Sequence, residues 1–570
     1  MLTNSVLAGA FGAAYLTVLV LQLNPQMPVF SSSTWRWFFT LAMAYGIHVA
    51  VLFYVVIVVR EFFTIGALSP GWVSVRLLAW MGAAAAGVAA FLMWTNLRGL
   101  ATTLDEDAVR RMTAGAVATT AAAVALLGIA VAHYSFGRRG SRVGAALFVL
   151  AAFASLALPI AARGGATPPA PPLRPAMMGA VEDPVDETQP RVVMLLLDGA
   201  SLDYVWPRVA EGRLPNFSKL LESGAEMDLA TIRPTQPDPV WAAVATGVYP
   251  SRNGVRSAAS YYARNDDRAL DLLPDRTLSH ALVHLGFVRD EPRTSLAWRA
   301  RPIWSILSEE GIRVGIVRWP LTHPAEALNG FVVSDRFDQL VGSIVEFERA
   351  VYPVAVLPAL MDAVASAQVP AAGDDAAAPE ASALRRDRLY SAAMRELRQQ
   401  MPPRFVALRY QGLDTVGHYY FHHTQPRGIR AVPEETQRRF AQIVDRYYAF
   451  IDGEIGAAMQ ALAAGDLLVV VSGFGMAGRH PAKQLLGRLL NSPDQSGTHE
   501  NAPDGFLLAA GTAVQPGRPP RGSIVDVTPT LLYFLGLPVG RDMDGYARSD
   551  LFTGAFTAER PIDFIPSYNR

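Results

Sequence analysis

Five stretches near the N-terminus, 5–23, 37–59, 77–94, 114–132 and 143–162, contain no Asp, Glu, Lys or Arg. At 1.5 Å per helical residue each spans close to the ~30 Å of hydrocarbon in a bilayer. Trp37, Trp80 and Trp94 lie towards their ends, where interfacial aromatics belong. Five such runs in succession point to membrane helices rather than to buried helices of a soluble domain. The first has no basic segment ahead of it and four more follow, so it reads as a retained helix and not a cleaved signal. His48, inside the second run, reads as a packed residue bonded within its own helix.

Orientation follows from the basic residues between the runs. With the N-terminus inside, Arg60, Arg76, Arg138, Arg139 and Arg142 are cytoplasmic. Arg36, Arg98, Arg110 and Arg111 are then outside, the last three beside Asp105, Glu106 and Asp107. The compact 138–142 cluster has no acid near it and decides the direction. An odd number of spans then delivers the rest of the chain to the extracytoplasmic side, the periplasm of a bacterial-type inner membrane.

Composition removes several chemistries. The 570 residues include no cysteine, which excludes cysteine nucleophiles, thiolate metal sites and disulfides. Lys+Arg and Asp+Glu both number 50, so no global basic field favours a nucleic acid polymer. The only lysines are Lys219 and Lys483, neither in a phosphate-loop or Schiff-base setting.

The chain divides into a membrane domain (1–163), a Pro-rich linker (164–190) and a domain from 191 to 570. Proline density in 167–175 favours an extended spacer. An Ala/Pro/Asp stretch at 368–382 reads as a flexible surface insertion. From Arg191 the texture is α/β. Short runs at 192–197, 314–318, 405–410 and 467–472 alternate with helical segments such as 216–223 and 436–463. That alternation predicts a mostly parallel sheet with helices on both faces. Asp198 closes the first run, where such sheets place their chemistry. Asp414 and His418, four residues apart, and the later His499 suit a divalent ion, although Asp–His pairs of this spacing are also common on surfaces.

The order of these pieces resembles the alkaline-phosphatase superfamily, in particular its type I phosphodiesterase/nucleotide pyrophosphatase branch. The resemblance runs from Arg191 to about Phe552. It rests on the strand ending in Asp198, on Leu214-Pro-Asn-Phe, and on the block from Pro234-Thr-Gln-Pro-Asp-Pro to Thr246-Gly247. Asp414-x-x-x-His418, Ser472-Gly-Phe-Gly-Met476, Gly497-Thr-His499 and Asp526-Val-Thr-Pro complete it. The resemblance implies an alkaline-phosphatase-like fold and a two-metal site for phosphate or sulfate esters. One ion belongs to Asp414, His418 and His499. The other belongs to Asp198, a hydroxyl nucleophile and an Asp-His pair. Here the nucleophile position is Pro237, and the pair falls on Gly473 and Phe474.

Thr235, two residues earlier, is the candidate for a relocated nucleophile, against an ordinary role in loop structure. Asp238 is a candidate replacement carboxylate. His422 and His423 are candidate imidazoles or a helix edge, and Glu500 and Asp504 read as turn-forming carboxylates beside His499. The expected cofactor is one divalent ion, zinc foremost with manganese or another ion as alternatives. Beside it Asp198 faces an empty second position, where it orients water or acts as general base. The leading function is a membrane-anchored, metal-dependent hydrolase of phosphoric esters. The alternatives are a non-catalytic relative that binds metal or a phosphorylated lipid or glycan, and a head-group phosphotransferase. The expected partners are the bilayer and a phosphorylated small molecule, lipid or glycan; nothing in the sequence indicates a protein partner.

Overall fold

The computed structural model describes residues 2–63, 74–134, 142–167, 171, 173, 189–340, 344–367, 378–424, 434–479 and 496–569. Arg138, Arg139, most of the Pro-rich linker and 368–377 of the insertion lie outside them. Pro379 opens the helix Pro379–Gln400, so the end of the insertion is helical; proline's fixed φ and missing N–H suit that first position.

The chain forms two compact units, Met1–Ala170 with Arg256–Pro292, and Pro171–Val255 with Arg293–Arg570. The first contains α1 (Leu2–Leu23), α2 (Ser32–Leu41), α3 (Ile47–Phe63), α4 (Val75–Leu100), α5 (Glu106–Tyr134) and α6 (Arg142–Arg163). A π-helical turn, Ala42–Gly46, joins α2 to α3. Five segments are long and apolar enough to cross a membrane: Leu2–Leu23, Ser32–Val59, Leu77–Leu100, Glu106–Ala132 and Arg142–Arg163. Small residues let the first two meet closely. A Cβ on Gly9 would fall 2.2 Å from the Gly46 carbonyl oxygen. His48 Nδ1 bonds the Ala44 carbonyl at 2.7 Å, within its own helix. The division at 191 read from the sequence keeps Arg256–Pro292 with the α/β domain, whereas by packing this segment joins the helices.

The strands in chain order are β1 (Val192–Leu197), β2 (Ala225–Ala230), β3 (Ala259–Ala263), β4 (Val288–Pro292), β5 (Val314–Val317), β6 (Gly330–Val333) and β7 (Val351–Tyr352). β8 (Phe405–Tyr410), β9 (Leu467–Phe474), β10 (Ala477–Gly478), β11 (Gly497–Thr498), β12 (Asp504–Ala510) and β13 (Gly522–Ser523) follow. β3 and β4 form an antiparallel hairpin in the helical unit. The second unit is built on a nine-stranded sheet in the order β13-β2-β12-β9-β1-β8-β5-β6-β7. Its centre, β9-β1-β8-β5-β6, is parallel, and β12 and β7 run against their neighbours. The fold is α/β with a mostly parallel central sheet, as the alternation of apolar runs and helices predicts.

Alternation along β1 shows why that run carries no polar residue. Val192, Met194 and Leu196 enter one hydrophobic core, and Val193, Leu195 and Leu197 enter the other. Both faces are covered, so every position is apolar. β8 obeys the same parity, with Phe405 and Ala407 on the first face and Val406, Leu408 and Tyr410 on the second. Continuing that parity puts Asp198 and Arg409 on the same face of adjacent parallel strands.

Candidate metal centre

The carboxyl ends of β9, β1 and β8 lie side by side, the position at which open α/β sheets concentrate functional groups. After β8 the chain turns into the helix Gly412–Tyr420, with Asp414 in its first turn and His418 one turn later on the same face. His499 follows β11, which pairs with β10 just beyond the end of β9. Close backbone approach makes this possible. Gly199 has φ +70°, and a Cβ there would lie 3.3 Å from the Asp414 Cα.

Asp414, His418 and His499 form the one cluster of metal-type donors among the described residues, with ligand atoms within 4.8 Å of one another. Asp414 Oδ1 lies 2.7 Å from His499 Nε2 and 3.5 Å from His418 Nε2. The other ring nitrogens are engaged by the backbone: His418 Nδ1 meets the Gly497 carbonyl and His499 Nδ1 the Gly475 carbonyl, each at 3.0 Å. A carbonyl only accepts, so each Nδ1 carries the proton, and in the neutral imidazole the Nε2 lone pair faces the carboxylate. Asp414 Oδ1 and His499 Nε2 are both buried without a hydrogen-bond partner. Two acceptors 2.7 Å apart in a buried site require a cation between or beside them. A proton on His499 satisfies the pair alone; a divalent ion satisfies all three residues. The donor set and its backbone support therefore fit a divalent metal. Burial works against charge on both partners, yet their proximity holds the Asp414 carboxyl below and the His499 imidazole above their ordinary values.

The position beside Asp198 is different. Asp198 is fully buried, and its two oxygens accept from Arg409 Nε at 3.0 Å each, with Nη2 on Oδ2 at 2.5 Å. Trp241 Nε1 donates to Oδ1 at 2.7 Å. Burial pushes the Asp198 carboxyl up, while Arg409 and Trp241 pull it back towards the charged form. The sequence reading leaves the second position beside Asp198 empty; in the structure Asp198 is paired with the Arg409 guanidinium.

The degenerate positions belong to the same arrangement. Pro237 opens the helix Pro237–Thr246. That helix carries Val240 and Trp241 over the site, and a Cβ on Gly473 would fall 2.4 Å from Val240 Cγ1. Phe474 is buried with its ring 4.6 Å from His499 and 6.3 Å from Trp241. Where the resemblance implies a nucleophile and an Asp-His pair, this chain has a helix start, a packing glycine and an aromatic wall. Thr235 donates its hydroxyl to the Ile232 carbonyl at 3.0 Å, a bond within its own loop. Asp238 sits in the first turn of the helix, half-buried. Burial raises its carboxyl to about 6; Arg409 opposes that shift, and Asp335 and Asp198 add to it.

The remaining candidates lie outside the cluster. His423 packs on Phe440, with ring centroids 4.8 Å apart, and the His422 backbone N–H bonds Ser496 Oγ. Asp504 pairs with Arg233 and Arg521, and Glu500 is exposed. Sequence reasoning missed Arg409 and Trp241. The signal was available, since an arginine inside the run Phe405-Val-Ala-Leu-Arg-Tyr410 must find a buried acid.

No curated protein matches the chain. The solved structure of murine ectonucleotide pyrophosphatase/phosphodiesterase 5 aligns over 64% of this chain and 100% of its own, at 12% identity and a TM-score of 0.39. The family described as type I phosphodiesterase / nucleotide pyrophosphatase matches residues 192–497, more than half of the chain. That span opens at β1 and takes in Asp198, the Pro237 helix, Asp414, His418 and β9. With the strand order and the Asp414 cluster already in place, the chain belongs to the type I phosphodiesterase/nucleotide pyrophosphatase family.

Proposed function

We propose that this protein is a membrane-anchored, metal-dependent hydrolase of phosphoric esters that works with one divalent ion. The observation that carries the reading is the convergence of Asp414, His418 and His499, with both imidazoles oriented by backbone carbonyls. A zinc or similar ion held there supplies Lewis-acid stabilisation of a phosphoryl oxygen. Pro237 has no hydroxyl, so on this reading water attacks phosphorus directly as the P–O bond to the alcohol breaks, and the proton taken from that water is returned to the departing alkoxide. Asp238, next in the chain and partly open to solvent, takes the proton from that water. Arg409 fixes Asp198 as a neutral pair, which removes the carboxylate that would otherwise repel a phosphate.

The substrate class is a phosphorylated lipid, a glycan intermediate or a small nucleotide on the extracytoplasmic side of a bacterial-type inner membrane. Its support is the apolar helices and the basic cluster at 138–142. The test is metal analysis of the purified full chain together with turnover of a chromogenic panel of phosphodiesters and monoesters. Metal-dependent turnover lost in His418→Ala supports the hydrolase. A second reading, a non-catalytic relative that binds a phosphorylated ligand, is favoured by Pro237, Gly473, Phe474 and the Asp198–Arg409 pair together. Retained metal with no turnover on any substrate would move the account to it.

A further inference from the structure

The segment Arg256–Pro292 leaves the α/β unit in sequence and packs within the helical unit. Val20, Leu21, Met27, Trp37, Leu41 and Ala44 share one core with Tyr261, Leu270, Leu273, Leu282 and Val288. Most of the segment between β3 and β4 is irregular, and irregular backbone is tolerated at membrane depth only where its polar groups are satisfied by protein. The helices supply those partners. Asn24 Oδ1 accepts the Asp271 and Leu272 N–H groups at 2.8 and 3.0 Å, and its Nδ2 donates to the Leu272 carbonyl at 2.8 Å. Asn96, fully buried in α4, repeats the pattern with the N–H and carbonyl of Asp275 at 2.7 and 3.1 Å. Tyr45 donates to the Thr277 carbonyl at 2.7 Å. Asn24 directly follows α1 and Asn96 lies within α4; buried asparagines within or beside apolar helices are costly unless bonded, and both bond this one segment.

The depth can be read along α2. Trp35, Phe38 and Phe39 cluster near its start, an aromatic belt of the kind found at bilayer surfaces. Tyr45 lies about 9 Å beyond Phe39, the innermost ring of that cluster, at ~1.5 Å per residue, and its ring leans back about one turn, which leaves it about 4 Å inside the belt. Thr277 is thus held below the belt. Met43 and Ile47, which bracket Tyr45, expose their side chains, as does the rest of α3 through Val51, Leu52 and Val55. Next to Thr277, Leu278 and Leu285 flank the short helix Ser279–His284 and are 55% and 59% exposed. Leu278 precedes that helix with a left-handed backbone (φ 58°) and Leu285 follows it, so the two exposed leucines sit at its two ends.

We propose that residues 277–287 are seated in the bilayer leaflet at the Ser32 end of α2, with Leu278 and Leu285 in contact with lipid. The segment is a second membrane attachment of the α/β chain, separate from the linker. The inference rests on reading the five apolar helices as membrane spans. The natural absence of cysteine allows a direct test on the full chain in phosphatidylcholine–phosphatidylglycerol vesicles. Leu278→Cys, Leu285→Cys, Val55→Cys and Glu291→Cys variants each receive one nitroxide, and collision with oxygen is compared with collision with a water-soluble nickel chelate. Labels at 278 and 285 should favour oxygen over nickel as the label at 55 does, with the ratio reversed at 291. A water-like ratio at 278 and 285 beside a lipid-like ratio at 55 overturns the proposal. Shielding from both reagents at 278 and 285 also overturns it, because protein then covers that face. A water-like ratio at 55 overturns the membrane reading itself, and this attachment with it.

Discussion

Around Asp414 three donor atoms converge with no hydrogen-bond partner for the buried Asp414 Oδ1 and His499 Nε2, whereas around Asp198 both carboxylate oxygens already receive N–H groups. Both are buried carboxylates at the carboxyl ends of neighbouring parallel strands, and burial alone disfavours charge on either. They differ in the cation the chain supplies. Asp198 receives a covalently tethered one, Arg409, in fork geometry that fills both oxygens. Asp414 receives two imidazoles; a proton on His499 satisfies one of them, whereas a divalent ion from outside would satisfy all three residues. The comparison explains why the substitutions at Pro237, Gly473 and Phe474 occur together. On the one-ion proposal, a guanidinium that neutralises Asp198 leaves a second ion little charge to answer, and a side chain at position 473 would run into Val240.

The sharpest way to break this contrast is to remove the tethered cation. Arg409→Ala leaves Asp198 buried and unpaired and should cost ~3–5 kcal/mol of stability in urea denaturation. Arg409→Met combined with Asp198→Asn should recover most of that loss while metal is retained. Next comes the other half. His418→Ala should weaken metal retention by more than the ~10–100-fold that an outer-shell partner costs, read by competition with a chelating dye. The same variant should lose turnover while its urea midpoint under metal-free conditions stays near that of the parent.

A smaller effect is expected from rebuilding the lost site. Gly473→Asp drives a side chain into Val240 and should destabilise by ~1–3 kcal/mol without adding a second metal equivalent. The least drastic probe is pH. The Asp238 carboxyl, raised to about 6 by burial, must be ionised to accept a proton. Turnover should therefore fall as pH drops through about 6, and Asp238→Asn should lower kcat/KM and abolish that acid limb. A limb that persists in the variant would assign the base to another group.

Much of the α/β fold is legible in the sequence, because strands buried on both faces are mainly apolar, and the runs at 192–197, 405–410 and 467–472 show it apart from Arg409 and Ser472, each of which finds a buried partner. The Asp414–His418 spacing is legible for the same local reason, one helical turn on one face. His499 required the family resemblance, since its place depends on a loop pairing between β10 and β11. Arg409 was written into an apolar strand, but its partner is 211 residues away, and no local pattern names a partner at that distance. The attachment at 256–292 was hidden for a related reason: its own composition is mixed, and its bonds to the helices run through Asn24 and Asn96, polar residues that look incidental inside or beside apolar spans.

The central claim is that Arg409 stands in place of the second metal. The measurement that tests it most directly is the number of metal ions per chain in the wild-type protein, after equilibrium dialysis against excess zinc and then manganese, by mass spectrometry of the metal content. One equivalent of tightly held ion is predicted for either metal, falling to none in His418→Ala and remaining one in the Arg409→Met/Asp198→Asn variant. Two equivalents in the wild-type protein would contradict the account.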